Sequence, residues 1–230
     1  MGTATMQPDG VLTGSVQTGD NYTVYFAARF NAAYTAATLD GDALAEGVEV
    51  QGEGLGVLLT FAGLNGPLLS KVGISYVDAA GALRNLDAEI PGWDFDAVVA
   101  QHKQQWNEAL GRIEVEGGSE AQRQSFYTAL ARTQQFPNLI SDVDGRYPGP
   151  DDQIHQSERP HYTQFSLWDS YRGQNQVLAE IVPEQYRDML NSLLDFYRQS
   201  GRLPRWQQAQ RDASHMSGDP AILFIGDGWC

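Results

Sequence analysis

Apolar residues recur with period two up to about residue 92 of this chain and with period 3.6 from about Asp94 onward. One kind of element cannot satisfy both periods, because a strand alternates faces at every residue and a helix repeats at every three to four. The chain must therefore divide into a sheet part and a helical part. In NYTVYFAARF, Tyr22, Val24, Phe26 and Ala28 fall on one face and Thr23, Tyr25, Ala27 and Arg29 on the other. GVLLTF and LLSKVGISYV read as further strands, and PDG, TGD, LDGD and GLNG are the turn signals between them. No helical pattern separates these runs, so the whole of 1–92 reads as antiparallel β.

After Asp94, the residues Phe95, Val98, Val99, His102, Trp106, Leu110 and Ile113 form one helical stripe. On that stripe His102 is expected to be a packed core residue. EVEGGSEAQ breaks the helix, and Ser119 with Gln122 has capping-box spacing, so a second helix is expected from there to about Gln135. Residues 138–162 are rich in Pro, Gly and Asp and read as loop. A single helix is expected from about Ser166 to Ile181, and another from Pro183, with Gly201 as its C-terminal stop. A last helix begins after Gly218. The organisation that follows is a sheet domain over 1–92, a helical linker over 93–117, and a row of helices over 118–230, paired by short turns as in a helical toroid.

Charge narrows the partners. The formal net charge is −14 and no run of Lys and Arg interrupts it, so a phosphate backbone is repelled and nucleic acid is not an expected partner. The single cysteine, Cys230, leaves no intramolecular disulfide, and no apolar run has the length of a membrane span. MGTATMQPDG lacks the apolar region of a signal peptide, and Met6 stands where a myristoylation motif needs Ser or Thr. Asn21-Tyr22-Thr23 is a glycosylation sequon.

Three candidate chemistries fail. DVDGRYPGPDD, Asp142 to Asp152, resembles a calcium loop, but Arg146, Tyr147 and Gln153 occupy positions where an EF-hand needs a ligand, Gly and Glu. Histidines 102, 155, 161 and 215 have no metal-ligand spacing. No GxSxG, P-loop or GxGxxG is present.

One cluster remains. TQFSLWDSYRG packs Phe165, Trp168 and Tyr171 around Asp169 and Arg172, and GRLPRW places Arg205 and Trp206 on a loop after a helix end. Aromatic faces suit the C–H surface of a sugar ring, and carboxylates and guanidinium forks suit its hydroxyls. The competing reading is structural, with Trp168 and Tyr171 in the core and Asp169 paired to Arg172 one turn on.

The motifs in their order resemble glycoside hydrolase family 92. The matching runs are VGISYV, LRNLDAEIPGWDFDAVVAQHKQQWNEALGRIEVEGG, FYTALARTQQFPNLISDVDGRY, TQFSLWDSYR, LLDFYRQSGRLPRW and MSGDPA, and the resemblance covers roughly residues 10–230. It implies an exo-acting, calcium-dependent α-mannosidase that inverts the anomeric centre. It also implies part of an N-terminal β-sandwich, a linker helix and the first helices of an (α/α)6 barrel, an α+β multidomain piece of such an enzyme. By the same resemblance the acid Glu, the base Asp and most calcium ligands lie in later barrel segments, so no catalytic residue and no complete Ca2+ site is expected here.

Asp169 corresponds to a carboxylate that holds the terminal mannose, with Trp168, Arg205, Trp206 and Asp219 around it. ASHMSGDPA departs from the family, since His215 stands where Cys is common and Pro220 where His is common. The implied partner is a mannose-containing glycan, the implied location is outside the cell, and apolar helix faces left open imply self-association. The alternatives are a non-catalytic carbohydrate-binding protein and a structural helical adaptor.

Overall fold

The computed structural model describes residues 1–19, 22–213 and 215–228. Asn21 of the sequon and Cys230 lie outside the described residues. The chain divides into two compact units: residues 1–93 with 141–147, and residues 94–140 with 148–230.

The first unit is built on an antiparallel sheet. Its strands are β1 (Gly2–Met6), β2 (Leu12–Gln17), β3 (Thr23–Phe30), β4 (Tyr34–Thr38), β5 (Glu49–Gly52), β6 (Val57–Phe61) and β7 (Ser70–Ser75). Five of them form a sheet in the order β5-β1-β2-β3-β7, and β4 pairs with β6 in a second, two-stranded sheet. The register Leu12↔Ala28 and Phe26↔Ile74 puts the even-numbered residues of β3 on one face, as the period of two requires. That face carries Leu12, Phe26, Ala28 and Phe30, which pack with Ala36, Val57 and Leu59 of the β4–β6 pair.

The other face of the sheet holds a helix where the sequence reads as strand. α1 (Ala79–Glu89) follows β7 directly, with Asp78 as its N-cap. Ala82 packs on Val11 and Ala27. The close approach depends on Gly73, where a Cβ would meet the Ala82 carbonyl oxygen at 2.3 Å. The expectation of β throughout 1–92 is therefore corrected: a cap immediately after a strand leaves no turn signal to separate the two.

Residues 141–147 belong to this unit through polar contacts. Ser75 Oγ donates to Asp142 Oδ2 at 2.9 Å and Asn85 Nδ2 to Asp142 Oδ1 at 2.8 Å. Arg146 bridges to Asp78 at 2.8 Å and to Asp144 at 2.9 Å. Burial pushes the Asp142 carboxyl above its usual range, against the lowering pull of those two hydrogen bonds.

The second unit is helical: α2 (Phe95–Leu110), α3 (Glu120–Thr133), α4 (Leu167–Ser170), α5 (Gln174–Ile181), α6 (Pro183–Ser200) and α7 (Ala221–Asp227). The Ser119 capping box forms as its spacing requires, Pro183 opens α6, and Gly201 closes it in the left-handed conformation at φ 77°. The core gathers Phe165, Leu167, Leu178, Tyr186, Met189, Leu193 and Phe224. Phe224 stacks on Tyr186 at 4.4 Å and meets Phe165 edge-on at 5.6 Å. The Tyr186 hydroxyl donates to the Phe224 carbonyl at 2.7 Å, and burial pushes this phenol far up in pKa.

Two expectations are corrected here. The helix expected over 166–181 is broken into α4 and α5 at Gly173, whose φ is 118°. His102 is exposed rather than packed; it accepts a hydrogen bond from Trp106 Nε1 at 3.2 Å. The stripe of α2 is amphipathic, yet Phe95 is 65% exposed and no residue of this helix is buried.

His161 is buried in this unit, and desolvation lowers its pKa from 6.5 to about 4, although Asp195 at 4.0 Å pulls the other way. The folded state therefore binds fewer protons than the unfolded state between these values, and stability falls as the pH drops from 6.5 toward 4. The full effect is on the order of 3 kcal/mol, at about 1.36 kcal/mol for each pH unit between the two values. Urea unfolding at pH 7 and pH 5 should show a lower midpoint at pH 5, and His161→Gln should flatten that dependence.

Candidate functional site

The candidate site is set by an alternation around Ser166. Phe165 and Leu167 are wholly buried in the helical core, so Ser166 between them faces the other way. α4 is a single turn with Leu167 and Ser170 inward, and this leaves Trp168 and Asp169 outward. Trp168 is 39% exposed.

Ser166 ties together two stretches that are forty residues apart in sequence. Its hydroxyl accepts from Trp206 Nε1 at 2.7 Å and donates to Asp169 Oδ2. Trp206, Ser166 and Asp169 thus form one hydrogen-bonded chain. Arg172 donates to the Tyr171 hydroxyl at 2.6 Å, and its guanidinium lies 4.8 Å from the Tyr171 ring and 5.7 Å from the Trp168 ring. The expected one-turn pairing of Asp169 with Arg172 is replaced by these contacts, because the helix ends at Ser170 before that turn is complete.

The loop bearing Arg205 and Trp206 is held from behind. Asp212, whose side chain is 5% exposed, accepts from the backbone N–H of both residues at 3.2 Å. Beside this loop lies a cleft of about 390 Å3, lined by Tyr197, Arg202, Arg205, Asp212, Asp219 and Ile222 among others. Two of the expected residues, Arg205 and Asp219, therefore share the cleft, while Asp169 and Trp206 are joined through Ser166.

Two residues of this arrangement escaped the sequence reading. Ser166 with Asp169 has the Ser-x-x-Asp spacing of a capping box, and that spacing could have drawn attention to it. Asp212 carries no local signal, since its partners are backbone groups six and seven residues back.

Histidine, cysteine and carboxylate side chains could in principle hold a metal. Among the described residues no three of them converge. Asp144, within the calcium-like loop, and Asp78, which meets it, are engaged by Arg146 and Arg84. Among the described residues no helix is long and apolar enough to cross a membrane.

The sequence model of the glycosyl hydrolase family 92 catalytic domain matches residues 81–230. The chain belongs to glycosyl hydrolase family 92. It is 33% identical over 181 residues to an uncharacterized secreted glycosidase of Arthroderma benhamiae, covering 76% of this chain and 19% of that protein. A family 92 α-mannosidase from Bacteroides thetaiotaomicron has a similar structure, with a TM-score of 0.85 at 27% identity. That match covers 96% of this chain and 32% of the mannosidase. The complex of that mannosidase with mannoimidazole matches with a TM-score of 0.82 at 27% identity, over 94% of this chain and 30% of the other. A family 92 inverting mannosidase of the same organism shares the fold at 24% identity with a TM-score of 0.82, over 99% of this chain and 32% of its own. The chain thus spans about a fifth of the curated relative and about a third of the solved structures.

The Asp212 contacts generate a prediction. Asp212→Ala should release the Arg205–Trp206 loop while the α6 core stays folded. Amide hydrogen exchange read by NMR should then show loss of protection at Arg205 and Trp206 and unchanged protection in α6.

Proposed function

We propose that this chain is the substrate-holding part of an inverting, calcium-dependent exo-α-mannosidase that removes terminal mannose from glycans. In this reading residues 1–92 belong to an antiparallel β-sandwich, 93–117 to a helical linker, and 118–230 to the first helices of an (α/α)6 catalytic barrel. Family membership over 81–230 and the likeness to family 92 α-mannosidases, one of them bound to mannoimidazole, support it. The observation that carries it is the Trp206–Ser166–Asp169 chain, in which the serine hydroxyl ties an exposed carboxylate to an indole forty residues on.

Asp169 accepts hydrogen bonds from two hydroxyls of the terminal mannose. Its second oxygen partner, the Ser166 hydroxyl, fixes the carboxylate rotamer, so little side-chain freedom is lost on binding. Trp168 and Trp206 offer ring faces to the sugar C–H surface and exclude water from it. Arg205 and Asp219 bind polar groups from the cleft side. An inverting glycosidase further needs an acid and a base about 6.5–9.5 Å apart, with a water between base and sugar. We assign those two groups, and the calcium ligands, to parts of the complete enzyme other than these residues, so that the 230-residue chain alone binds and does not hydrolyse. The secreted relative supports export of the complete protein.

A non-catalytic carbohydrate-binding protein is the second reading, favoured by the exposure of Trp168. Titration calorimetry on this chain with methyl α-mannoside should show binding that weakens about tenfold or more in Asp169→Ala, the loss of roughly 1.4 kcal/mol or more. No mannose should be released from α-mannobiose, with or without calcium. Chelator-sensitive turnover would overturn the assignment of acid and base to other parts of the enzyme, and absence of any saccharide binding would remove both readings.

Open apolar faces support self-association of the isolated chain. Phe95, Ile222 and Tyr197 are 65%, 62% and 51% exposed. Sedimentation velocity should show oligomers that dissociate on substitution of Phe95 and Ile222 by Ser; a single monomer species at all concentrations would contradict this.

A further inference from the structure

The sheet unit carries a cleft that the reading above does not use. It encloses about 450 Å3, within the usual range of about 300–1,000 Å3 for small-molecule sites, and Asp9, Phe30, Asn31, Tyr34 and Trp93 line it. Its rings pack against one another. Phe30 and Tyr34 meet edge-on at 5.2 Å, and each also packs on Phe61, at 5.4 and 5.6 Å. The Tyr34 hydroxyl donates to the Gly10 carbonyl at 3.1 Å. Trp93 is held by the buried Lys71, whose ammonium lies 4.8 Å from the indole centroid and donates to the Ile90 carbonyl at 2.6 Å. Despite that anchoring Trp93 remains 39% exposed. A fixed, half-open indole loses little conformational entropy when a ligand covers it.

The polar groups decide what the ligand is. The Asn31 amide is committed on both sides, donating to the Pro67 carbonyl at 3.1 Å and accepting from Leu69 N–H at 2.8 Å. It shapes the wall and is not available to a guest. The Asp9 carboxylate is 56% exposed and has lone pairs to offer; Arg29 stands 3.7 Å from it. A cationic guest is disfavoured, because the Lys71 ammonium already lies against Trp93; Arg29, which hydrogen-bonds Asp87 at 3.2 Å, offsets the Asp9 charge only in part. An anionic guest is disfavoured by Asp9 and by a chain of net charge −14. An uncharged ring with an apolar face and hydroxyl donors satisfies both constraints: its C–H face covers an aromatic ring and a hydroxyl donates to Asp9.

We propose that the cleft between Trp93 and Tyr34 is a second saccharide site, which takes an uncharged hexopyranose unit of a glycan. The choice of mannose-containing glycans as its source rests on the function proposed above; the site itself does not use Asp169.

The test uses the full 230-residue chain, with methyl α-mannoside, α-mannobiose and choline chloride as probes and NMR titration as readout. In Asp169→Ala, resonances around Trp93 should still shift with mannoside, with a Kd in the millimolar range. Adding Trp93→Ala to that variant should weaken binding about tenfold or more, and adding Asp9→Asn instead should weaken it several-fold with an unchanged melting temperature. Asp9→Asn keeps the question open to decision if Trp93→Ala unfolds the sheet unit. Loss of all saccharide shifts in Asp169→Ala alone would overturn the second site and leave the Asp169 reading standing. Binding abolished by Trp93→Ala and untouched by Asp169→Ala would do the reverse. Shifts at Trp93 with choline and none with mannoside would overturn the proposed ligand class.

Discussion

Phe165 and Leu167 are withdrawn from solvent on either side of Ser166, and the geometry of the candidate site follows from that pair. Phe165 lies edge-on to Phe224, which stacks on Tyr186 of α6, so the segment before α4 is pinned to the broad apolar face of the longest helix. With both neighbours buried, Ser166 can only present its hydroxyl outward, where Trp206 and Asp169 meet it. The single turn of α4 then projects Trp168 and Asp169 away from the core. Two buried side chains, about 1.5–3 kcal/mol each in transfer free energy, thereby fix the direction of three outward ones, Ser166, Trp168 and Asp169.

Much of this framework was legible in the sequence because local rules fix it. The change of period at Asp94 marks the start of α2, although the sheet has already given way to α1 at Asp78. Ser119 with Gln122, Pro183 and Gly201 mark helix ends through spacing and backbone preference alone, and the structure has them there. Three features resisted for physical reasons. α1 begins one turn after a strand, with Asp78 as cap and no Gly or Pro between them, so the two periods run together. The break at Gly173 was hidden because the apolar pattern runs through it, and an isolated glycine in a helical pattern is often tolerated. The stripe on α2 was read correctly as a face, but periodicity says nothing about whether a face is covered, and His102 proved exposed. At the site, the sequence offers Asp169 and Trp206 as candidates through their local clusters and motif order, whereas the hydroxyl that joins them is visible only once forty residues of chain have folded back.

How each carboxylate is engaged separates those that hold the fold from Asp169, to which the proposed function gives a binding role. Asp78 takes a guanidinium from Arg146 and a backbone N–H from Gly81, which together hold its pKa below the usual range despite burial. Asp195 is gripped by Arg159 and Arg198, each at 2.7 Å. Asp212 spends one oxygen on two backbone donors. These groups have little acceptor capacity left, and stripping their partners would leave charge in partly dry surroundings. Asp169 differs in being exposed and in having a neutral hydroxyl as its partner. A hydroxyl directs the carboxylate without neutralising it, so the charge remains available to a donor that arrives with the ligand. Charge-assisted hydrogen bonds are roughly twice as strong as neutral ones, and an arginine in the place of Ser166 would forfeit that difference by occupying both oxygens. The serine is thus the partner that keeps Asp169 both oriented and unspent, and the indole of Trp206 keeps the serine in place.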